Sequence, residues 1–211
     1  ALNILAINKN STFRALGLER SIAGIFSMAG NEPFGIANIS GYKGATQRKA
    51  TFAKQTLFHE YVHYLTAYEN QDTDLPLWFA EGRAEYLGTF WFDEKHAYFG
   101  DIYALKDRIP ALYGPSGVLQ ISSDTILTKQ RNQLNFSGWN NGSTFEFYGR
   151  AFFIYHYFNS SSEKRQQLLK LVNAQKTMDA ADALKEATGM TFDELDNAVE
   201  KYIMGDLQTR V

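Results

Sequence analysis

Cysteine is missing from all 211 residues, so no disulfide framework staples this chain and no thiolate can serve a metal site. No apolar run reaches the ~18 residues of a membrane span, so no bilayer-crossing helix is expected. Neither sign of charge dominates. The 21 basic and 23 acidic residues leave a formal charge of −2, which gives no case for nucleic acid or an anionic membrane surface. Internal repeats and low-complexity tracts are absent as well. Histidine is scarce at 4 residues, and two of those four lie within one five-residue stretch.

Enough remains to build a core. Hydrophobic residues make up 45% of the chain, an ordinary share for a folded globular protein. The length suits one compact domain or two lobes around a cleft.

The histidine pair reads His59-Glu60-Tyr61-Val62-His63, an H-E-x-x-H pattern. The surrounding stretch from Thr46 to Glu69 has neither Pro nor Gly and carries Ala, Gln, Lys and Leu, so a helix is expected there. Phe58, Val62 and Leu65 form an apolar stripe, and Leu57, Tyr61, Tyr64 and Tyr68 add an aromatic flank, so the helix should be buried on most sides. Residues four apart on a helix differ by about 40° in direction, so both imidazoles point into one space. Glu60 stands about 100° around from His59. That angle misses a metal held by the histidines but reaches a water beside it, where a general base is needed.

Two imidazoles need a third ligand, and two carboxylates compete for the place. Glu69 lies six residues after His63, a spacing that works only if a Gly turns the chain back after the second His. Thr66 occupies that position, so the helix runs on and carries Glu69 away. Glu81 lies beyond a polar break, Asn70 to Asp74. There Asp74 suits a cap and Pro76 the first turn of a second helix, expected to reach about Phe92. Trp78, Glu81, Gly82 and Glu85 share one face of that helix, with Gly82 expected to let it pack against the first. Glu81 sits among Trp78, Phe79, Ala80 and Tyr86, poorly placed for solvent, and is the favoured ligand. His59, His63 and Glu81 suit zinc, one ion per chain, with a fourth position left for water. Glu85, one turn beyond Glu81, could receive the second ring N–H of a ligating histidine.

The two blocks together, His59 to His63 and Pro76-Leu77-Trp78-Phe79-Ala80-Glu81-Gly82-Arg83-Ala84-Glu85-Tyr86, resemble the gluzincins. These are the thermolysin-like branch of zinc metallopeptidases, and the closer likeness is to bacterial peptidase MA-like domains. The resemblance implies that His59, His63 and Glu81 bind zinc and that Glu60 activates the attacking water. It also implies an edge strand before the metal helix that pairs with extended substrate, a place that Phe34 to Ser40 fits, with Ile22 to Ser27 as its neighbour and Gly30 to Pro33 as the turn. Phe145 to Phe158 looks like the family's aromatic helix. On it Tyr148 is the first candidate for stabilising the oxyanion, ahead of Tyr155 and His156. His96 has no motif around it and reads as a surface residue.

The remaining expectations are coarser. The fold should be α+β: a zincin-like lobe over residues 1–115, with a small sheet and two zinc-binding helices, then a mainly helical lobe over 116–211. Arg131 to Thr144 reads as loop. Helices are expected from Ser162 to Gln175, from Asp179 to Thr188 with Gly189 as stop, and after a Thr191–Glu194 capping box. The expected activity is zinc-dependent hydrolysis of peptide bonds in a peptide or protein substrate. A zincin-fold binding or scaffolding module, and a zinc hydrolase of a non-peptide bond, are the alternatives. The chain begins Ala1-Leu2-Asn3 and reads as a mature form or a piece excised from a longer protein. The lack of cysteine suits a bacterial extracytoplasmic setting, periplasmic or secreted.

Overall fold

A computed structural model describes residues 3–18, 23–29, 32–40, 52–69, 75–102, 121–133 and 142–207. The described chain is α+β. Its strands are β1 (Asn3–Ile7), β2 (Gly24–Ala29), β3 (Glu32–Asn38), β4 (Trp91–Phe92) and β5 (Ala97–Tyr98). Its helices are α1 (Asn10–Arg14), α2 (Phe52–Glu69), α3 (Leu77–Gly88), α4 (Ser123–Thr128), α5 (Gly142–Phe158), α6 (Ser162–Ala174), α7 (Ala180–Thr188) and α8 (Phe192–Tyr202). The chain groups into two compact units. One holds Ala1–Thr73, Arg83–Asp107 and Asn135–Gly142, and the other holds Asp74–Gly82, Arg108–Leu134 and Ser143–Val211. Helix α3 contributes residues to both.

The first unit is built on a three-stranded sheet of order β1-β3-β2. β2 and β3 pair antiparallel as a hairpin, and β1 adds to β3 in parallel, Leu5 opposite Ile36. The expected edge strand is therefore the central one: β3 is flanked on both sides, and among the described residues β1 and β2 are the outer strands. The displacement comes from β1, whose pairing is long-range and leaves no local signal. Helix α2 packs on β2 and β3. It runs unbroken through Thr66 to Glu69, so the chain does not turn back after His63. Residues 46–51 of the expected helix, the cap assigned to Asp74 and part of the turn at residues 30–31 lie outside the described residues. Val62 is buried, but Tyr61 and Tyr68 of the aromatic flank are exposed, while Leu57 and Tyr64 are half-buried.

Helix α3 starts after Pro76, whose carbonyl accepts from the N–H groups of Phe79 and Ala80. It ends at Gly88, four residues short of the expected Phe92. Thr89 explains the stop: its hydroxyl donates to the Tyr86 carbonyl at 2.8 Å and accepts from the Gly100 and Asp101 amides. The next residues then pair as the β4–β5 hairpin, with Trp91 stacked on Tyr98.

The described part of the second unit is helical, and the ends of its last three helices follow the sequence signals closely. Ser161 caps α6, Asp179 caps α7, and Gly189 closes α7 in the left-handed region at φ 77°. Thr191 and Glu194 form the capping box of α8. Phe147, Phe152, Phe153, Ile154 and Phe158 of α5 are fully buried, as are Leu171, Leu184, Leu195 and Val199. Each such side chain contributes about 1.5–3 kcal/mol by leaving water. Arg150 is also fully buried, and it is held by Asp196 of α8 together with the Ser123 hydroxyl of α4. That node ties three helices of this unit through one charge pair. Trp78 is buried likewise, with its indole N–H donated to Gln175 at 2.8 Å. Residues 134–141 of the expected loop lie outside the described residues, and Arg131–Gln133 forms a short 3-10 turn. Among the described residues no helix is long and apolar enough to cross a membrane.

Candidate metal centre

The helical spacing of His59 and His63 does what geometry requires. Their Nε2 atoms come within 3.0 Å of each other, with the rings crossed at 75°. Glu81 joins them: one donor atom from each of His59, His63 and Glu81 lies within 4.8 Å of the others. Donors placed tetrahedrally around zinc at ~2.1 Å sit roughly 3.4 Å apart, so the histidine pair is already near that spacing. Glu81 is 2% exposed. A carboxylate buried that deeply needs charged or hydrogen-bonding partners, and a cation between the imidazoles would be one.

Glu85 does stand behind His59, its Oε1 3.2 Å from the His59 Nδ1. A carboxylate there favours the proton on Nδ1, which leaves the Nε2 lone pair aimed at the shared space. That is the tautomer a ligand must have. Both groups are largely enclosed, at 14% and 8% side-chain exposure, so solvent screens this pairing little.

Two glycines set how α3 packs, each against a different helix. Within the first unit Gly88 meets α2: a Cβ there would lie 3.3 Å from the Gln55 carbonyl and 3.5 Å from the His59 amide nitrogen. Gly82, expected to make that approach, instead lies against α5, where a Cβ would stand 2.5 Å from the Ala151 carbonyl oxygen. The register of the helix explains the exchange. Gly82 follows Glu81 directly and points about 100° away from it, whereas Gly88 is two turns on and returns close to the Glu81 direction.

Glu60 is half-buried and lies under β2, beside Gly24 and Thr56. The three candidates for the oxyanion donor all lie on α5 in the helical unit. Tyr155 is buried with its ring 5.7 Å from Phe79, and the Nδ1 of His156 shares a 2.7 Å hydrogen bond with the Tyr202 hydroxyl. Both serve core packing. Tyr148 is half-buried in the second turn, edge-on to Phe147, and remains the candidate. His96 is exposed in the β4–β5 turn beside Asp93, as a surface residue should be. Lys54, near the start of α2, is nearly fully buried; burial pushes its ammonium pKa down, and Asp101 opposes the shift.

A scan against protein-family models and searches of curated proteins and of solved structures find no match to this chain.

Proposed function

We propose that this chain is a zinc-dependent hydrolase of peptide bonds. The observation that carries the reading is the convergence of His59, His63 and Glu81, drawn from two sequence blocks, onto one small volume. The donor set fits the ion: two neutral imidazoles and one carboxylate suit zinc and leave a fourth position open. When bound, zinc would polarise the substrate carbonyl and lower the pKa of water beside it.

The chain's own residues supply the rest. An extended peptide adds to the outer edge of β2, where main-chain hydrogen bonds hold it irrespective of side chain. Glu60 takes the proton of the attacking water and returns it to the leaving amine. Glu85 holds His59 in the ligand tautomer. Tyr148 donates its hydroxyl to the charge that develops on the carbonyl oxygen.

Elemental analysis of chain purified without a chelating step tests the first half, and cleavage of casein tests the second. About one zinc per chain is expected, lost in Glu81→Ala. Glu60→Gln should keep the zinc and lose turnover by about 1,000-fold or more. No bound metal, and none taken up from excess zinc, would sink the proposal. Wild-type turnover in Glu60→Gln would remove its proposed general base.

A further inference from the structure

Strand β2 and helix α2 run side by side in matched register. Gly24 lies against Glu60, and two residues on Phe26 lies against Tyr64, ring centroids 6.2 Å apart. Two strand residues advance about 6.8 Å and one helical turn about 5.4 Å, so the contact repeats along both elements. At its first step no room remains for a side chain. A Cβ on Gly24 would stand 2.6 Å from the Glu60 Oε1, 2.8 Å from its Cγ and 2.8 Å from the Thr56 Cγ2. Backbone conformation is not the reason for glycine here. Gly24 is not among the positive-φ glycines of the described residues, Gly17, Gly100 and Gly189. Space alone demands it, and a glycine inside a strand often marks a close approach of this kind.

Resting on the hydrolase reading, we infer that Gly24 is a positioning residue for Glu60. The missing side chain at Gly24 leaves room for the carboxylate against the strand that is proposed to take the substrate. One methyl at position 24 must push Glu60 away by about an ångström, and a displacement of that size at a reacting group costs about 100-fold in rate. The nearest atoms to that methyl belong to Glu60 and Thr56 and to no metal-ligating residue, so zinc binding should survive.

Four full-length chains test this: wild type, Gly24→Ala, Glu60→Ala and the double variant. Gly24→Ala should keep its zinc, lose kcat on casein by about 100-fold and hold KM nearly constant. It should lower the melting midpoint by about 4 °C in the wild-type background, and by less than half of that when Glu60 is already alanine. Equal midpoint losses in both backgrounds would overturn the contact, and undiminished kcat in zinc-loaded Gly24→Ala would overturn the positioning role. If Gly24→Ala alone does not fold, a folded double variant supports the inference and an unfolded one overturns it. A wild-type chain without turnover would sink the hydrolase reading alone, because the midpoint cycle still decides the Gly24–Glu60 contact.

Discussion

His59 and Glu85 show how a single carboxylate can ready an imidazole. With the Glu85 Oε1 3.2 Å from Nδ1, the proton is drawn to that side and the Nε2 lone pair is left for a cation. Removing the carboxylate frees the ring to change tautomer and to rotate. Glu85→Ala should therefore weaken zinc affinity by about 10- to 100-fold without abolishing it. Competition with a chelator of known affinity measures this, and an unchanged affinity would reduce Glu85 to an incidental neighbour. The candidate ligands His59, His63 and Glu81, and Glu85 behind them, were legible in the sequence because each obeys a local rule: the histidines by helical angle, the carboxylates by position in a second helix. Gly24 was not, because nothing near it in the chain tells that Glu60, thirty-six positions on, would fill its missing side chain.

Among the elements, those whose ends are written in capping chemistry were the most legible. Gly189 and the Thr191–Glu194 box fixed the junction of α7 and α8 to the residue. The strand order was not readable, since β1 joins β3 across some thirty residues and turns the expected edge into the centre. The end of α3 failed for a smaller reason: Thr89 diverts a helix carbonyl with its hydroxyl, a competition that helix propensity does not register. The capping box also makes a testable demand on pH. The Thr191 backbone N–H, then its hydroxyl, hold the Glu194 carboxyl below its ordinary pKa. A lowered folded pKa means stability that is fully present above the unfolded value, about 4.3, and lost as pH falls through the folded one. Glu194→Gln keeps an acceptor at that position but does not titrate. Wild type should thus lose more stability than Glu194→Gln between about pH 5 and about pH 3, and chemical denaturation at each pH reads the difference. Parallel losses in the two chains would mean that the box contributes nothing through charge.

For the whole molecule, the absence of cysteine excludes disulfides and leaves apolar packing, polar pairs and, under the proposed function, a bound ion as means of stabilisation. The helical unit is well supplied with the first, through its buried phenylalanines; it also encloses the pair of Arg150 and Asp196, and breaking such a pair typically costs several kcal/mol. Among its described residues the unit with the sheet leaves Ile4 and Leu5 on β1 and two tyrosines on α2 exposed. Its α2 carries both histidines, so an ion there would bind only the folded chain and stabilise it by mass action. At a free zinc concentration about 1,000 times the dissociation constant the gain is about 4 kcal/mol, which for a chain of this size raises the melting midpoint by about 10 °C. Calorimetry with and without zinc should show that rise in wild type and in Glu60→Gln, whose ligands are intact. Glu81→Ala, with two imidazoles left, should show little of it. An equal rise in Glu81→Ala would mean that zinc binds elsewhere on the chain, and the convergence of His59, His63 and Glu81 would then need another explanation.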